Sequence, residues 1–387
     1  MGKKILITCI LIILFLFGIV NGDGIENLIE GQLEHLSLES LQEFANRINS
    51  ESGGLIPQLN IKDIIKMSFN KNHAFSIKEL LNGIWRYIMI ELLQNMQLLG
   101  KIIILSVFCA IFQNLHSGFQ NESIGRLAYS ICYVMIIILA VQSFATVSKT
   151  CIDTIDLMVS FMQSLLPILI TLLLSVGGIT SSSLFQPIVY TSVTAISTFI
   201  KTVVIPLVIF SSVLSIISNI SEKIRITRLA SLIRGIAIAL LGIVLTAFTG
   251  VISVQGLAAS SLDGVMAKSA KFAVDSFIPI IGDFLSEAFD TVIGCSLLIK
   301  NGISIAGLFL LLLITLLPII KILAIFLSYK ISAALIQPII DNELVQSLND
   351  ISNSVLVLLC CMISVGILFF IAITIIMGIG NITVMMR

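Results

Sequence analysis

Residues 261–300 read SLDGVMAKSAKFAVDSFIPIIGDFLSEAFDTVIGCSLLIK, a charge-bearing island in the apolar three-quarters of this chain. On helical spacing Asp283, Glu287 and Asp290 fall at i, i+4 and i+7, so the three carboxylates share one face. Lys268, Lys271 and Asp275 make a second row, and Pro279 with Gly282 separates the two. Phe272, Phe277, Phe284, Leu285 and Phe289 occupy the opposite faces. The pattern predicts two short amphipathic helices joined at 277–282, lying at or dipping into a membrane. Charge rows on such helices are ordinarily their solvated face. The sharper reading makes Asp283, Glu287 and Asp290, with Lys271, Pro279 and Gly282 beside them, part of a cation path or a docking surface.

Composition supports the membrane. Apolar residues make up 57% of the 387 and charged residues 11%, against roughly 25% charged in a soluble domain. The expected fold class is therefore all-α, a polytopic helical membrane protein. The formal net charge is zero, which gives no reason to expect nucleic-acid binding. Seven cysteines lie mostly inside apolar runs without a C-x-x-C pair, as small buried side chains rather than a disulfide or metal framework.

Outward from the island, the N-terminus has Lys3-Lys4, an uncharged run from Ile5 to Val20, then Asn21-Gly22. This is the layout of a signal peptide or a retained signal anchor over 1–22, and it predicts export of the segment after Gly22. Residues 23–97 read as an extracytoplasmic helical segment. Ile25, Leu28, Ile29, Leu33, Leu36, Leu41, Phe44 and Ile48 trace one apolar face. Ser40 with Glu43 and Ser76 with Glu79 have capping-box spacing. Ser52 to Pro57 is a turn, and Trp85 and Tyr87 suit a membrane interface.

Residues 98–387 are the multi-span domain. Its apolar stretches are Leu98–Leu115 (interrupted by Lys101), Leu127–Val147, Leu157–Val176, Ile188–Ile217, Ile233–Val254, Ile303–Ser328 and Val355–Ile379, judged against the ~20 residues that span a bilayer. Ile188–Ile217 is long and holds Lys201 and Pro206, so a kink, a break or a hairpin is expected there. Counting every stretch as one crossing after an exported 23–97 segment puts Lys223, Arg225 and Arg228 outside, against the positive-inside rule. Either Leu98–Leu115 does not cross or Ile188–Ile217 crosses twice, for a total of six to eight spans.

Leu165–Ile188 (LLPILITLLLSVGGITSSSLFQPI) aligns without gaps on Leu316–Ile339 (LLPIIKILAIFLSYKISAALIQPI), ten of 24 positions matching. The prolines and the Gln-Pro dipeptides in register set this apart from leucine coincidence. With Ile188–Ile217 counted once, the repeat is an inverted one, as in transporter folds; counted twice, it is parallel. Gln186, Gln337, Ser181 to Ser183 and Lys201 are then candidate path-lining groups. Their bland alternative is a satisfied polar group between helices. Three scattered histidines and the absence of a P-loop, G-x-S-x-G or H-E-x-x-H argue against an enzyme. Catalytic, cofactor and metal residues are therefore expected to be none.

Lys271-Phe272-Ala273, Phe277-Ile278-Pro279-Ile280-Ile281-Gly282 and the run from Asp290 to Gly302 resemble the stage III sporulation protein AE family of endospore-forming bacteria. The likeness extends to length and layout, though its specific motifs lie within 268–307. It implies a polytopic subunit of the mother cell–forespore channel, in the mother-cell membrane surrounding the forespore. The implied partners are the other stage III A-group membrane proteins, a secretion-type ATPase, ring-forming proteins and the forespore protein Q, besides membrane lipid. The family supplies no catalytic residues to carry over. Two other functions stay open on the residues alone, a self-sufficient secondary transporter with an inverted repeat and a non-conducting membrane scaffold.

Overall fold

Long runs of Leu, Ile, Ala and Met without an interior break have one economical backbone solution in an apolar solvent, the helix that bonds its own N–H and C=O groups. The computed structural model describes residues 31, 38–67, 77–116, 122–220, 226–277, 282–340 and 342–385, and among them there are helices and turns but no strand. Two short helices, α1 (Glu39–Glu51) and α2 (Ile61–Met67), precede the long ones. These are α3 (Ile77–His116), α4 (Glu122–Ser175), α5 (Ile179–Phe199), α6 (Ile205–Ile220), α7 (Thr227–Phe277), α8 (Gly282–Ile336) and α9 (Asn342–Met385). The expected 1–22 signal segment and the apolar face from Ile25 to Leu36 lie outside the described residues, Gly31 apart.

Among the described residues, six helical rods are long and apolar enough to cross a membrane: Lys78–Phe112, Leu127–Ser175, Ile179–Asn219, Thr227–Gly256, Thr291–Ile336 and Glu343–Asn381. Two differences from the sequence reading decide that number. Leu127–Val147 and Leu157–Val176 are not separate spans, because α4 runs unbroken through Lys149, Asp153 and Asp156. Polar residues between apolar runs do not end a helix unless a Pro or Gly does. Nor is Ile188–Ile217 a hairpin. The π-helical turn Ile200–Val204 joins α5 to α6 in one rod, two residues before Pro206. Proline at 206 leaves the Thr202 carbonyl without its usual donor, and a wider turn accommodates the mismatch.

The predicted pair of short amphipathic helices takes a different form. Residues 262–277 are the last turns of α7 and 282–300 the first turns of α8, each continuous with its span. Gly256 does not interrupt α7, since it is where α7 lies against α9; a Cβ there would come within 2.9 Å of Ile375. Ser40 likewise lies inside α1, which starts at Glu39 behind Leu38 without a side-chain cap. The turn from Ser52 is as expected, with Gly53 and Gly54 at positive φ of 61° and 76°.

Contacts fix the directions. Tyr329 of α8 meets Ser143 of α4, and Leu165 of α4 lies under Gly307 of α8, so the two are antiparallel. Tyr133 bonds Ser347 and Met158 approaches Gly366, so α9 is parallel to α4. Cys109 against the Tyr129 carbonyl sets α3 antiparallel to α4, and Gln163 with Thr194 does the same for α5. Six rods that alternate in direction satisfy all of these. Two rods lie between α4 and α8, which is the inverted arrangement of the Pro167 and Pro318 helices. The second proline pair differs, Pro187 being inside α5 and Pro338 in the turn after α8.

The centre is a filled core. Met158, Phe161, Met162 and Leu165 of α4, Leu310, Leu313 and Tyr329 of α8, and Leu358, Met362 and Val365 of α9 are all at 0% exposure. At 1.5 Å per residue the longest rods extend about 80 Å, well beyond the ~30 Å hydrocarbon layer of a bilayer.

Candidate functional site

Half-way along the rods the apolar surface gives way to a charged belt. Helix α1 lies there against α4, its Leu41, Ala45 and Ile48 buried and its Phe44 ring edge-on to Phe161 at 5.4 Å. Gln42 ties the next turn to α1, donating to the Leu59 carbonyl at 3.0 Å and accepting from the Ile61 N–H at 3.0 Å. Leu55 packs on Gly83 of α3, where a Cβ would strike its carbonyl. The 38–67 unit is thus docked on α3, α4 and α8.

A crevice remains between this unit and the bundle. One cavity of about 550 Å³ is lined by Arg47 and Glu51 of α1, Tyr87 and Glu91 of α3, Asp153 of α4 and Lys321 of α8. A second, about 430 Å³, adds Glu43, Asp156 and Ser160 and shares Arg47, Asp153 and Leu157 with the first. Five carboxylates therefore line the crevice against two cations. Arg47 pairs with Glu51 at 3.0 Å, and Glu91 is buried one turn after Tyr87. Pro318, inside α8, forms part of the wall and frees the Ile314 carbonyl from its helical donor.

Lys201 reaches this belt. It stands in the π-helical turn and forms an ion pair with Asp156. Of the candidate path or docking residues read from the sequence, it is the one that pairs with a residue of the crevice. Gln186 is exposed on α5 and Gln337 is exposed in the turn after α8, toward opposite ends of the bundle. Ser181 and Ser182 are buried at the start of α5, and Ser183 is exposed. Asp283, Glu287 and Asp290 lie in helix α8 as their spacing requires, Gly282 is its first residue and Lys271 is in α7. The side chains of Lys271, Asp283, Glu287 and Asp290 lie outside the described residues, as does Pro279 altogether.

Two buried charges were not singled out by sequence reasoning. Asp263 of α7 is 1% exposed and accepts from the Thr180 N–H at 2.8 Å and the Ser181 N–H at 3.0 Å. Gly178 at the N-cap has no side chain to do this, so the cap of α5 comes from a residue 83 positions away. Lys300 of α8 is 0% exposed, donates to the Met377 carbonyl at 2.9 Å and fills the space that a side chain at Gly380 would need. The only sequence signal for either was a charge inside an apolar context.

A family model described as stage III sporulation protein AE matches residues 59–380. Stage III sporulation protein AE of Bacillus subtilis (strain 168) is 38% identical over 362 residues, covering 94% of this chain and 90% of that protein. No solved structure matches.

Proposed function

The chain belongs to the stage III sporulation protein AE family, and from that membership we propose that it is a membrane subunit of the multiprotein channel between mother cell and forespore. It is a sporulation membrane protein with several apolar helices. The observation that carries the finer reading is the solid centre. Side chains of α4, α8 and α9 fill the axis of the bundle, so a path for solute runs between this chain and its partners rather than through it. The proposed partners are the stage III A-group proteins, the secretion-type ATPase, the ring-forming proteins and the forespore protein Q. The proposed location is the mother-cell membrane around the forespore.

The merged span α4 supports an orientation. With 23–97 exported and six crossings, the segment that holds Lys223, Arg225 and Arg228 faces the cytoplasm. The exported 38–67 unit, which walls one side of the charged crevice, then faces the space between the two membranes. There it offers net negative charge to an extracytoplasmic partner.

The test is reconstitution of the purified chain in liposomes beside replacement of the native protein in a sporulating cell. The expected result is no dye or solute flux from the chain alone, together with restored sporulation in the cell. Flux from the purified chain alone would favour the transporter reading and overturn this one.

A further inference from the structure

Helix α3 carries an acid where a membrane helix ordinarily has none. Glu91 follows Ile88, Met89 and Ile90 and precedes Leu92 and Leu93, in a rod long and apolar enough to cross a membrane. Only 8% of it is exposed. A carboxylate nine-tenths out of water is costly unless a cation accompanies it. Among the described residues Glu91 forms no ion pair, since Arg47 is held by Glu51 and Lys201 by Asp156. What stands beside Glu91 is the cavity of about 550 Å³.

The other charges of the crevice repeat the imbalance. Glu43 and Asp153 are also without an ion pair, and the lining cation left over is Lys321. Arg86 of α3 and Lys149 of α4 are exposed, line neither cavity and pair with none of these acids. An inorganic ion is a poor match, because among the described residues no three His, Cys, Asp or Glu side chains are grouped to hold a metal. An alkyl cation is a better one. Leu55, Ile90, Leu157, Leu317 and Pro318 are apolar parts of the same wall, and they suit the methylene stem of a side chain whose charged head reaches Glu91. The cavity volume falls within the roughly 300–1,000 Å³ of sites that enclose small groups.

We propose that the crevice is the receptor for a basic side chain, lysine or arginine, of a partner protein, with Glu91 as the buried anchor and Asp153 as the second acceptor. Both carboxylates line the same cavity, one from α3 and one from α4. An ammonium or guanidinium supplies the counter-charge that Glu91 lacks in the chain by itself, and guanidinium engages a carboxylate through two parallel N–H donors. Glu43 and Asp153, both exposed, add attraction for a basic segment. The extracytoplasmic position of the partner rests on the orientation proposed above, since the 38–67 unit forms one wall. The recognition of a basic side chain does not depend on it.

The experiment uses the full chain in maltoside micelles, which carry no charge, and titrates it calorimetrically with capped tetralysine and tetra-arginine at low ionic strength. The expected result is saturable binding of one peptide per chain. Glu91→Gln and Asp153→Asn each weaken the apparent affinity about tenfold, as loss of a charge-assisted hydrogen bond does. Asp63→Asn, which removes an exposed acid of α2 that lines neither cavity, leaves it unchanged. Saturable binding of neither peptide overturns the proposal. So does binding undiminished in both crevice variants, or weakened as much by Asp63→Asn, which would mean that the peptide reads net charge alone. Calcium binding in place of the peptides would assign the crevice to an inorganic ion and overturn it as well. The titration needs neither a partner protein nor a sporulating cell, so its failure is separate from failure of the channel reading.

Discussion

Helices α9 and α7 point the same way through the bundle and have 44 and 51 residues, yet one is core and the other rim. In their most apolar windows 61% of α9 is buried and 22% of α7. Helix α9 has neighbours on every side: α4, α6, α7 and α8 all pack on it. Helix α7 turns only the stripe Ala230, Ala237, Leu241, Phe248 and Ile252 inward, and leaves Leu232, Ile236, Ile243, Val251 and Val254 exposed. In water those exposed side chains would be a liability; against lipid they are solvated. An apolar composition thus has two meanings here, and position in the bundle selects between them.

The contrast between core and rim breaks most sharply if the rods are not single crossings. Cysteines introduced at Ser117 and Gly177 flank α4, and impermeant thiol reagents should label them from opposite faces of the membrane. Labelling of both from one face would restore two spans within 122–175 and with them the positive-inside conflict. The next largest effect is in stability. Phe369→Ala in the core of α9 should cost about 3–5 kcal/mol, whereas Ile243→Ala on the rim of α7 should stay within about 0.5 kcal/mol. Unfolding in micelles measures both, and equal losses would mean that α7 is buried in the protein rather than in lipid.

Smaller effects sharpen the contrast at the helix ends and the crevice. Asp263→Ala removes the distant cap of α5 and should cost about 1–2 kcal/mol, with faster hydrogen exchange at Thr180 and Ser181. Asp263→Asn keeps one acceptor and should recover part of that loss. Lys201→Gln breaks a partly exposed ion pair at the crevice and should change stability by less than about 1 kcal/mol. A larger loss at Lys201 would show that the π-helical turn itself depends on Asp156.

Much of the fold was legible in the residues. The all-α membrane class came from composition, and the helical placement of Asp283, Glu287 and Asp290 from their spacing. What misled was the polar stretch from Ser148 to Asp156. It looks like a loop between two spans, but a helix in contact with α1, α3 and α8 can satisfy Thr150, Asp153 and Asp156 in a crevice without ending. Lys201 was legible as a charge in an apolar run. Arg47, Glu91 and Lys321, its neighbours in the charged belt, were not, because they come from three separate helices and share no sequence spacing.

The sequence alone determined that this chain is helical, that it belongs in a membrane and, through its motifs, which family it resembles, since hydropathy and local spacing are properties of neighbouring residues. The tertiary structure decided the number of rods, which of them are core, where α5 finds its cap and which charges meet in the crevice and along α9. Each of these depends on partners tens to hundreds of positions away, as Asp263 with Thr180 and Tyr133 with Ser347 illustrate. Helical periodicity specifies a face but not the face it meets.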